Sequence, residues 1–270
     1  MSSFEPSGFL TLTTDFGHKG PFVAAMKGVI YTRFPDAKII DLSHETDVHF
    51  PAEAGFWLTR AYRYFPPGTT HVAVVDPGVG TKRDILVVVY DGHAFVAPDN
   101  GLLASIVDQP GSTAHILDLS KHPGLALEPV SATFHGRDIF APVGAAIASG
   151  KVAPSALGPA ADDVVPCWVE EPTVSHDRLH GVVVAVDNFG NLISNVDAAL
   201  LSRFRHPVVK VGTHHIAMNR TYGDVSPGDY LALINSLGVL EIARAEQSAA
   251  DGLGLSRGAP ITVEEAPASP

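Results

Sequence analysis

Through its first half the chain alternates short β-branched segments with longer amphipathic ones. This alternation is typical of an α/β domain with a largely parallel sheet, because a helix must carry the chain back before the next parallel strand begins. Phe34-Pro35 and Pro66-Pro67-Gly68 end two of the amphipathic stretches, as helix terminators do. We therefore predict strands over residues 9–13, 38–42 and 71–75, a hairpin over 85–90 and 94–97, and helices over 22–33, 52–64, 102–108 and 140–149.

The pattern changes between residues 158 and 178, where the chain becomes rich in proline and acidic residues and loses its periodicity. This composition is typical of a linker, so we predict an α/β domain over residues 1–165 and a smaller domain over residues 166–270. Short β-rich runs separated by Gly, Pro and Asn turns predict antiparallel strands in the second domain, at 182–186, 207–211, 230–234, 240–243 and 261–263.

The charge balance excludes several classes of partner. Lys and Arg number 18 against 29 Asp and Glu, a formal net charge of −11, so nucleic acids and anionic membrane surfaces are repelled. A mean hydropathy of +0.17 excludes a disordered chain. No apolar run approaches the ~20 residues that a membrane span requires, and a single cysteine, Cys167, excludes an internal disulfide. We expect a cytoplasmic protein that binds a small or cationic ligand, with no nucleic-acid or membrane partner.

Two acidic residues of the first domain, Asp15 and Asp76, each follow a predicted strand. A glycine-containing turn separates Asp76 from Arg83, seven residues later. The carboxyl ends of parallel strands border the ligand crevice of such a sheet. Asp15 is therefore a candidate for binding a vicinal diol such as that of ribose. A helix cap at Asp15 and a plain Asp-Pro-Gly turn at Asp76 are the structural alternatives.

A dense group of reactive side chains precedes the predicted helix at 140–149. The segment Thr133-Phe134-His135-Gly136-Arg137-Asp138 contains an aromatic ring, an imidazole, a guanidinium and a carboxylate. This density favours a functional segment. A local ion pair between Arg137 and Asp138 at the start of the helix is the alternative.

Two turns of the second domain also carry polar side chains. In the run 187–191, Asn191 presents a donor and an acceptor that match the edge of a heterocycle, and Phe189 is placed to stack on it. The alternative is a hairpin turn rich in Asx and Gly. Asn235-Ser236-Leu237-Gly238 forms a second turn that is within reach of a ligand.

The 13 histidines raise the question of a metal site. Their spacing matches no Cys/His zinc pattern, and the sequence contains no His-Glu-x-x-His. We predict neither a metal nor a cofactor. A metal phosphohydrolase is the alternative, and chelation distinguishes the two.

Taken in order, the motifs resemble those of one family, the S-adenosyl-L-methionine (SAM) hydrolases (adenosine-forming), also called SAM hydroxide adenosyltransferases and related to the fluorinase and chlorinase. The resemblance covers residues 9–263. The motifs that carry it are Thr14-Asp15-Phe16-Gly17, Met26-Lys27-Gly28-Val29, Val75-Asp76-Pro77-Gly78-Val79-Gly80, Pro98-Asp99-Asn100-Gly101-Leu102, Phe134-His135-Gly136-Arg137-Asp138, Asp187 to Asn191 and Ile234-Asn235-Ser236.

The resemblance implies an N-terminal α/β domain, a C-terminal β-barrel-like domain, and a homotrimer with SAM bound between neighbouring subunits. It implies a water-activating set that falls here on Asp76, Arg83 and His135. The aspartate and histidine of this set are replaced in the halogenases, so their presence favours hydroxide over halide. The implied substrate-binding residues are Asp15 for the ribose hydroxyls, Thr133 and Phe134 beside the nucleoside, Asn191 at the adenine, and Asp187 and Ser236 at the methionine ammonium.

The implied reaction is hydrolysis of SAM to adenosine and L-methionine by in-line attack of an activated water on C5′ of the ribose. Three alternatives remain: a halide-using SAM transferase of the same fold, a non-catalytic SAM- or adenosine-binding protein, and the metal phosphohydrolase. The chain departs from its relatives at the methionine end, where Leu237 stands in place of the fluorinase arginine that meets the carboxylate. Arg244 is the nearest candidate to replace that arginine.

Overall fold

The computed structural model describes residues 4–266. The chain divides into two compact units, one ending at Trp168 and the other beginning at Val169. The boundary predicted between residues 165 and 166 lies just before this division.

A six-stranded sheet forms the centre of the N-terminal unit. Its order is β2-β1-β3-β5-β4-β6. β1 is parallel to β2 and β3, and β3 is parallel to β5, whereas β4 runs antiparallel to β5 and β6. The largely parallel α/β sheet is therefore confirmed. The strands are β1 Phe9–Thr14, β2 Lys38–Ser43, β3 Thr70–Val74, β4 Ile85–Tyr90, β5 His93–Pro98 and β6 Thr113–Ile116.

Helices cover both faces of this sheet. They are α1 Phe22–Arg33, α2 Pro51–Ala61, α3 Ala104–Val107 and α4 Ala141–Ala148. α2 ends earlier than predicted because a 3₁₀ turn follows it at Tyr62–Tyr64. α4 is buried along its whole length. Gly144 allows its close approach to the sheet, since a Cβ there would lie 2.5 Å from Val72 Cγ2.

The C-terminal unit consists almost entirely of antiparallel strands. The order is β11-β10-β14-β8-β9-β13-β12, and β7 pairs with β8. A bridge between Met218 and Ala232 joins the two ends of this path, so the sheet is nearly closed like a barrel, as expected. The strands are β7 Thr173–Ser175, β8 Arg178–Val186, β9 Leu192–Asp197, β10 Pro207–Val211, β11 His214–Ala217, β12 Tyr230–Ile234, β13 Val239–Arg244 and β14 Pro260–Glu265.

Two short helices interrupt the strands, α5 Ala198–Leu201 and α6 Ala249–Leu253. β8 is longer than predicted because its first half pairs with β14 and its second half with β9. Across residues 4–266, every helix is too short or too polar to cross a membrane.

Candidate functional site

A cavity of about 300 Å³ opens in the N-terminal unit beside the carboxyl ends of β1 and β3. This is the edge of a parallel sheet at which ligands bind. Asp15 enters the cavity after β1, and Asp76 enters it after β3. The segment from Thr133 to Gly136 forms another wall. The structure thus brings together the sequence-predicted residues of the N-terminal unit.

The guanidinium of Arg83 binds the carboxylate of Asp76 through several hydrogen bonds. Its Nε lies 3.0 Å from both carboxylate oxygens, and its Nη2 also donates to Oδ2. The side chains of Arg83 and Asp76 are only 11% and 4% exposed, so water screens this pair weakly. Gly80 has a φ of +78°, and a Cβ there would lie 2.2 Å from the carbonyl oxygen of Ala132. Gly80 therefore allows the loop that carries Asp76 and Arg83 to pack against the segment that leads to His135.

The same guanidinium contacts His135. Arg83 Nη2 lies 2.9 Å from His135 Nδ1. An arginine side chain has no acceptor, so Nδ1 must accept this hydrogen bond, and the ring proton lies on Nε2. Burial, and after it the positive charge of Arg83, lowers the pKa of His135 against the opposing effects of Asp76 and Asp138. His135 is therefore a neutral imidazole whose Nε2 is a donor.

A π-helical turn, Gly136–Phe140, follows His135 and leads into α4. Asp138 in this turn accepts from Arg137 Nε at 2.6 Å and from the backbone N–H of Ser131 at 2.8 Å. The hydrogen bond from Arg137 is the main cause that lowers the pKa of Asp138. The local ion pair considered in the sequence analysis is thus present, and it braces the loop before His135.

An aromatic group borders the cavity near Asp15. The rings of Phe16, Phe22 and Phe134 contact one another edge to face, with centroids 5.4–6.1 Å apart. Thr133 is exposed at the rim. Asp15 Oδ2 accepts a hydrogen bond from the backbone N–H of His49 at 2.9 Å. His49 was missed from the sequence, since its unusual backbone conformation, a φ of 63° for a non-glycine residue, is visible only in the structure.

The C-terminal unit contains a separate cavity of about 510 Å³. Phe189 and Asn191 line it, and the ring of Phe189 is 77% exposed. Asp187 holds the turn beneath them. Its Oδ1 accepts from the backbone N–H groups of Phe189 and Asn191, and its Oδ2 accepts from Asn191 Nδ2, all at 2.9 Å. The turn expected as the structural alternative is therefore present, and it fixes the amide of Asn191 in the cavity wall.

Tyr222 and Glu241 near this cavity were missed by the sequence analysis. The Tyr222 hydroxyl, on the cavity wall, donates to Glu241 Oε1 at 2.7 Å, and Asn235 Nδ2 donates to Oε2 at 3.2 Å. Burial raises the pKa of Glu241 in spite of these two hydrogen bonds, and burial also raises the pKa of Tyr222. The signal in the sequence was a single acid inside the apolar run of β13.

The residues expected at the methionine end lie in different places. Ser236 is exposed in the turn between β12 and β13, and it is not among the described residues that line the 510 Å³ cavity. Arg244 lies at the opposite end of β13 from Leu237, where its Nε donates to the carbonyl of Gly228 at 2.8 Å. Arg244 therefore borders the same cavity as Phe189, away from the turn that carries Leu237.

No group of three or more His, Cys, Asp or Glu side chains in the described part of the chain is arranged to hold a metal ion. Of the histidines considered above, His44 is buried against Asp41, and His180 bonds to Ser175 and Thr262 on neighbouring strands.

Two family models match the chain in the order of its two units. The SAM hydroxide adenosyltransferase N-terminal domain matches residues 10–158, and the C-terminal domain of the same family matches residues 181–262. The chain belongs to the SAM hydroxide adenosyltransferase family. The resemblance stated from the sequence motifs is therefore confirmed.

Individual relatives of this family agree with that assignment. The (R)-S-adenosyl-L-methionine hydrolase of Thermus thermophilus is 37% identical over 253 residues, which cover 92% of this chain and 96% of the relative. A fluorinase of an Actinoplanes species is 25% identical, over 95% of this chain and 97% of its own. The crystal structure of an uncharacterized conserved protein from Thermotoga maritima has a TM-score of 0.86 and 33% identity, covering 95% of this chain and 100% of that one.

The contact between Arg83 and His135 predicts how the histidine titrates. Replacing Arg83 with Gln removes the positive charge that disfavours the imidazolium and leaves the Asp76 carboxylate beside the ring. The pKa of His135 should therefore rise in Arg83→Gln. A pH titration of the histidine resonances by NMR measures this shift. The buried His71, whose pKa of about 3 is set by burial and by His93, serves as the internal control. An unchanged or lowered pKa of His135 would contradict the assigned contact.

Proposed function

We propose that this protein hydrolyses SAM to adenosine and L-methionine by in-line attack of a water molecule on C5′ of the ribose. The observation that carries the proposal is that Asp76 and His135, which Arg83 joins by hydrogen bonds, line one cavity together with Asp15. The curated relative from Thermus thermophilus, whose name states this substrate and this class of reaction, supports it.

The chemistry needs little beyond an oriented water. The sulfonium of SAM makes C5′ electrophilic, and methionine leaves as a neutral thioether, so its departure requires no general acid. The protein must align the water and keep bulk solvent away from the reacting centre. For the same reason no Lewis acid is needed at the leaving group, and we propose that the reaction is independent of metal ions.

Asp76 and His135 take different roles in this scheme. Because Nδ1 of His135 accepts from Arg83, the ring offers an N–H and is not the proton acceptor in this state. Asp76 is the remaining group of the set that is able to accept a hydrogen bond from the water. Arg83 fixes both partners and balances the charge of Asp76. We assign the water-activating role to Asp76 and the orientation of the water to His135.

The substrate-binding roles follow the two cavities. In the N-terminal unit Asp15 is assigned to the ribose hydroxyls, with Thr133 and Phe134 beside the nucleoside. In the C-terminal unit Phe189 is assigned to stacking on adenine and Asn191 to its hydrogen-bonding edge. The family resemblance, and not the cavity lining, assigns Asp187 and Ser236 to the methionine ammonium. Asp187 Oδ2 accepts one hydrogen bond within the turn, from Asn191 Nδ2, and a carboxylate oxygen is able to accept a second.

We extend the proposal to a homotrimer in the cytoplasm, with each active site shared between neighbouring subunits. The substrate-binding residues are divided between two units, and each unit's cavity has an exposed apolar side chain at its edge, Val48 at 66% and Phe189 at 77%. Exposed apolar surface beside a cavity is typical of a surface that a ligand or another subunit covers. The single Cys167 suits a reducing compartment.

The products test the reaction itself. SAM incubated with the protein in ¹⁸O-labelled water should give methionine and adenosine that carries the label at O5′, because the oxygen comes from the attacking water. Mass spectrometry identifies both products. EDTA-treated protein should give the same result. Unlabelled adenosine, loss of activity with EDTA, or halide in the product would each contradict the proposal, the last in favour of a halide-using transferase.

The assigned roles predict two different kinetic defects. Asp76→Asn should lower kcat by roughly 10²- to 10⁴-fold, the usual loss on removing a general base, while SAM still binds. Asp15→Asn, a substitution of the same shape, should weaken SAM binding first because it removes a charged acceptor from the ribose site. Calorimetry and steady-state kinetics separate the two effects. SAM binding without turnover in the wild-type protein would indicate a non-catalytic SAM-binding protein.

A shared active site predicts complementation. His135→Ala and Asn191→Ala should each be inactive, but a mixed oligomer should regain activity wherever an intact N-terminal cavity meets an intact C-terminal one. Co-expression with two affinity tags yields the mixed oligomers, and light scattering gives their mass. Inactivity of verified mixed oligomers, or full activity of a monomer, would show that one chain builds the whole site.

A further inference from the structure

Residues 44–49 lie against the loop that carries Asp15, and we call them the strap. Four hydrogen bonds join the strap to residues 14–17. The Gly17 N–H donates to the His44 carbonyl at 2.8 Å, and the Thr46 hydroxyl donates to the Thr14 carbonyl at 3.1 Å. The His49 N–H donates to Asp15 Oδ2 at 2.9 Å, and Thr14 Oγ1 lies 2.8 Å from His44 Nδ1. The loop is therefore held by side chains as well as by the sheet.

His44 is the buried centre of this contact, since its side chain is completely inaccessible to solvent. Its Nε2 lies 3.0 Å from Asp41 Oδ1, and Asp41 Oδ2 accepts from Lys27 Nζ at 2.6 Å. A carboxylate only accepts, so the ring proton lies on Nε2. Burial lowers the pKa of His44, more than Asp41 raises it, so the ring is neutral.

The neutral ring gives the hydrogen bonds a direction. With its proton on Nε2, His44 accepts at Nδ1 from the hydroxyl of Thr14. Thr14 Oγ1 in turn accepts from the backbone N–H of Phe16 at 3.3 Å. The hydrogen bonds thus run from the Phe16 backbone through Thr14 to His44, whose Nε2 lies 3.0 Å from Asp41 Oδ1. Asp15 lies inside the short turn that these bonds close.

We propose that Thr14 and His44 are positioning residues, which hold the carboxylate of Asp15 in place for the ribose hydroxyls. The inference rests on the ribose role proposed for Asp15. Neither residue lines the cavity, and both are buried, so they act on the ligand only through the loop. Removing the Thr14 hydroxyl leaves the Phe16 N–H and His44 Nδ1 without their shared partner and loosens the turn around Asp15.

The same strand carries a matched control. Thr11 is also buried on β1, and its Oγ1 lies 2.8 Å from Nδ1 of another buried histidine, His71. Thr11 precedes Thr14 by three residues, which places it about 10 Å farther from the carboxyl end of the strand. Thr11→Val and Thr14→Val therefore each remove a hydrogen bond between threonine and histidine, with the same change of shape, at two distances from Asp15. Thr14→Val also removes the acceptor of the Phe16 N–H, which belongs to the loop that carries Asp15.

The experiment compares these two variants with Thr14→Ser, which keeps the hydroxyl. Thr14→Val should raise the KM for SAM about three- to tenfold, the effect of one net hydrogen bond, with kcat within about twofold because the Asp76–Arg83–His135 set is untouched. Thr11→Val should leave the KM unchanged, although thermal unfolding should show a similar loss of stability. Thr14→Ser should resemble the wild type.

A second readout reports on the ribose directly. Calorimetry should show that the wild type prefers adenosine to 2′,3′-dideoxyadenosine, and that Thr14→Val reduces this preference while Thr11→Val retains it. A general loss of stability would not change the preference. Equal effects of the two valine variants, or an unchanged KM in Thr14→Val, would overturn the inference alone. A wild-type protein that neither binds adenosine nor hydrolyses SAM would overturn the proposed function as well.

Discussion

The arrangement of the candidate active site depends on the guanidinium of Arg83. Its Nε and Nη2 hold the carboxylate of Asp76, and Nη2 also reaches His135, which is 52 residues away from Arg83 in the chain. Because one planar group fixes both partners, it sets their separation and the tautomer of the histidine together. A lysine, with one donor centre on a flexible stem, would not impose this geometry. The tight packing of Gly80 against Ala132 and the ion pair between Arg137 and Asp138 brace the two segments that the guanidinium joins.

Local signals in the sequence predict much of the fold. Helix α1 has the predicted bounds, Phe22–Arg33, and ends at the Phe34-Pro35 terminator, and β10 and β12 also have their predicted bounds. β9 was missed because Ser194 and Asn195 resemble a turn, yet Ser194 Oγ donates to the carbonyl of Leu240 on the neighbouring strand and is fully buried. Only the partner strand makes that polar residue compatible with a strand interior, and a single sequence does not reveal the partner.

The candidate site, like the fold, has parts that the sequence predicts and parts that it does not. The positions of Asp15 and Asp76 at strand ends follow from the parallel sheet, which was predicted from periodicity. The contact of Arg83 with His135 spans distant segments, and only the family resemblance indicated it. No motif marked the strap, and the pair of Tyr222 with Glu241 was signalled only by a single acid in the apolar run of β13, because the contacts of both depend on which side chains the fold buries together.

The central claim is a single direct displacement at C5′ by water that Asp76 and His135 hold in place. The stereochemistry at that carbon tests it most directly. SAM made chiral at C5′ with deuterium, hydrolysed by the wild-type protein, should give adenosine of inverted configuration, as determined by NMR. Retention of configuration would require two displacements through a covalent intermediate and would contradict the account.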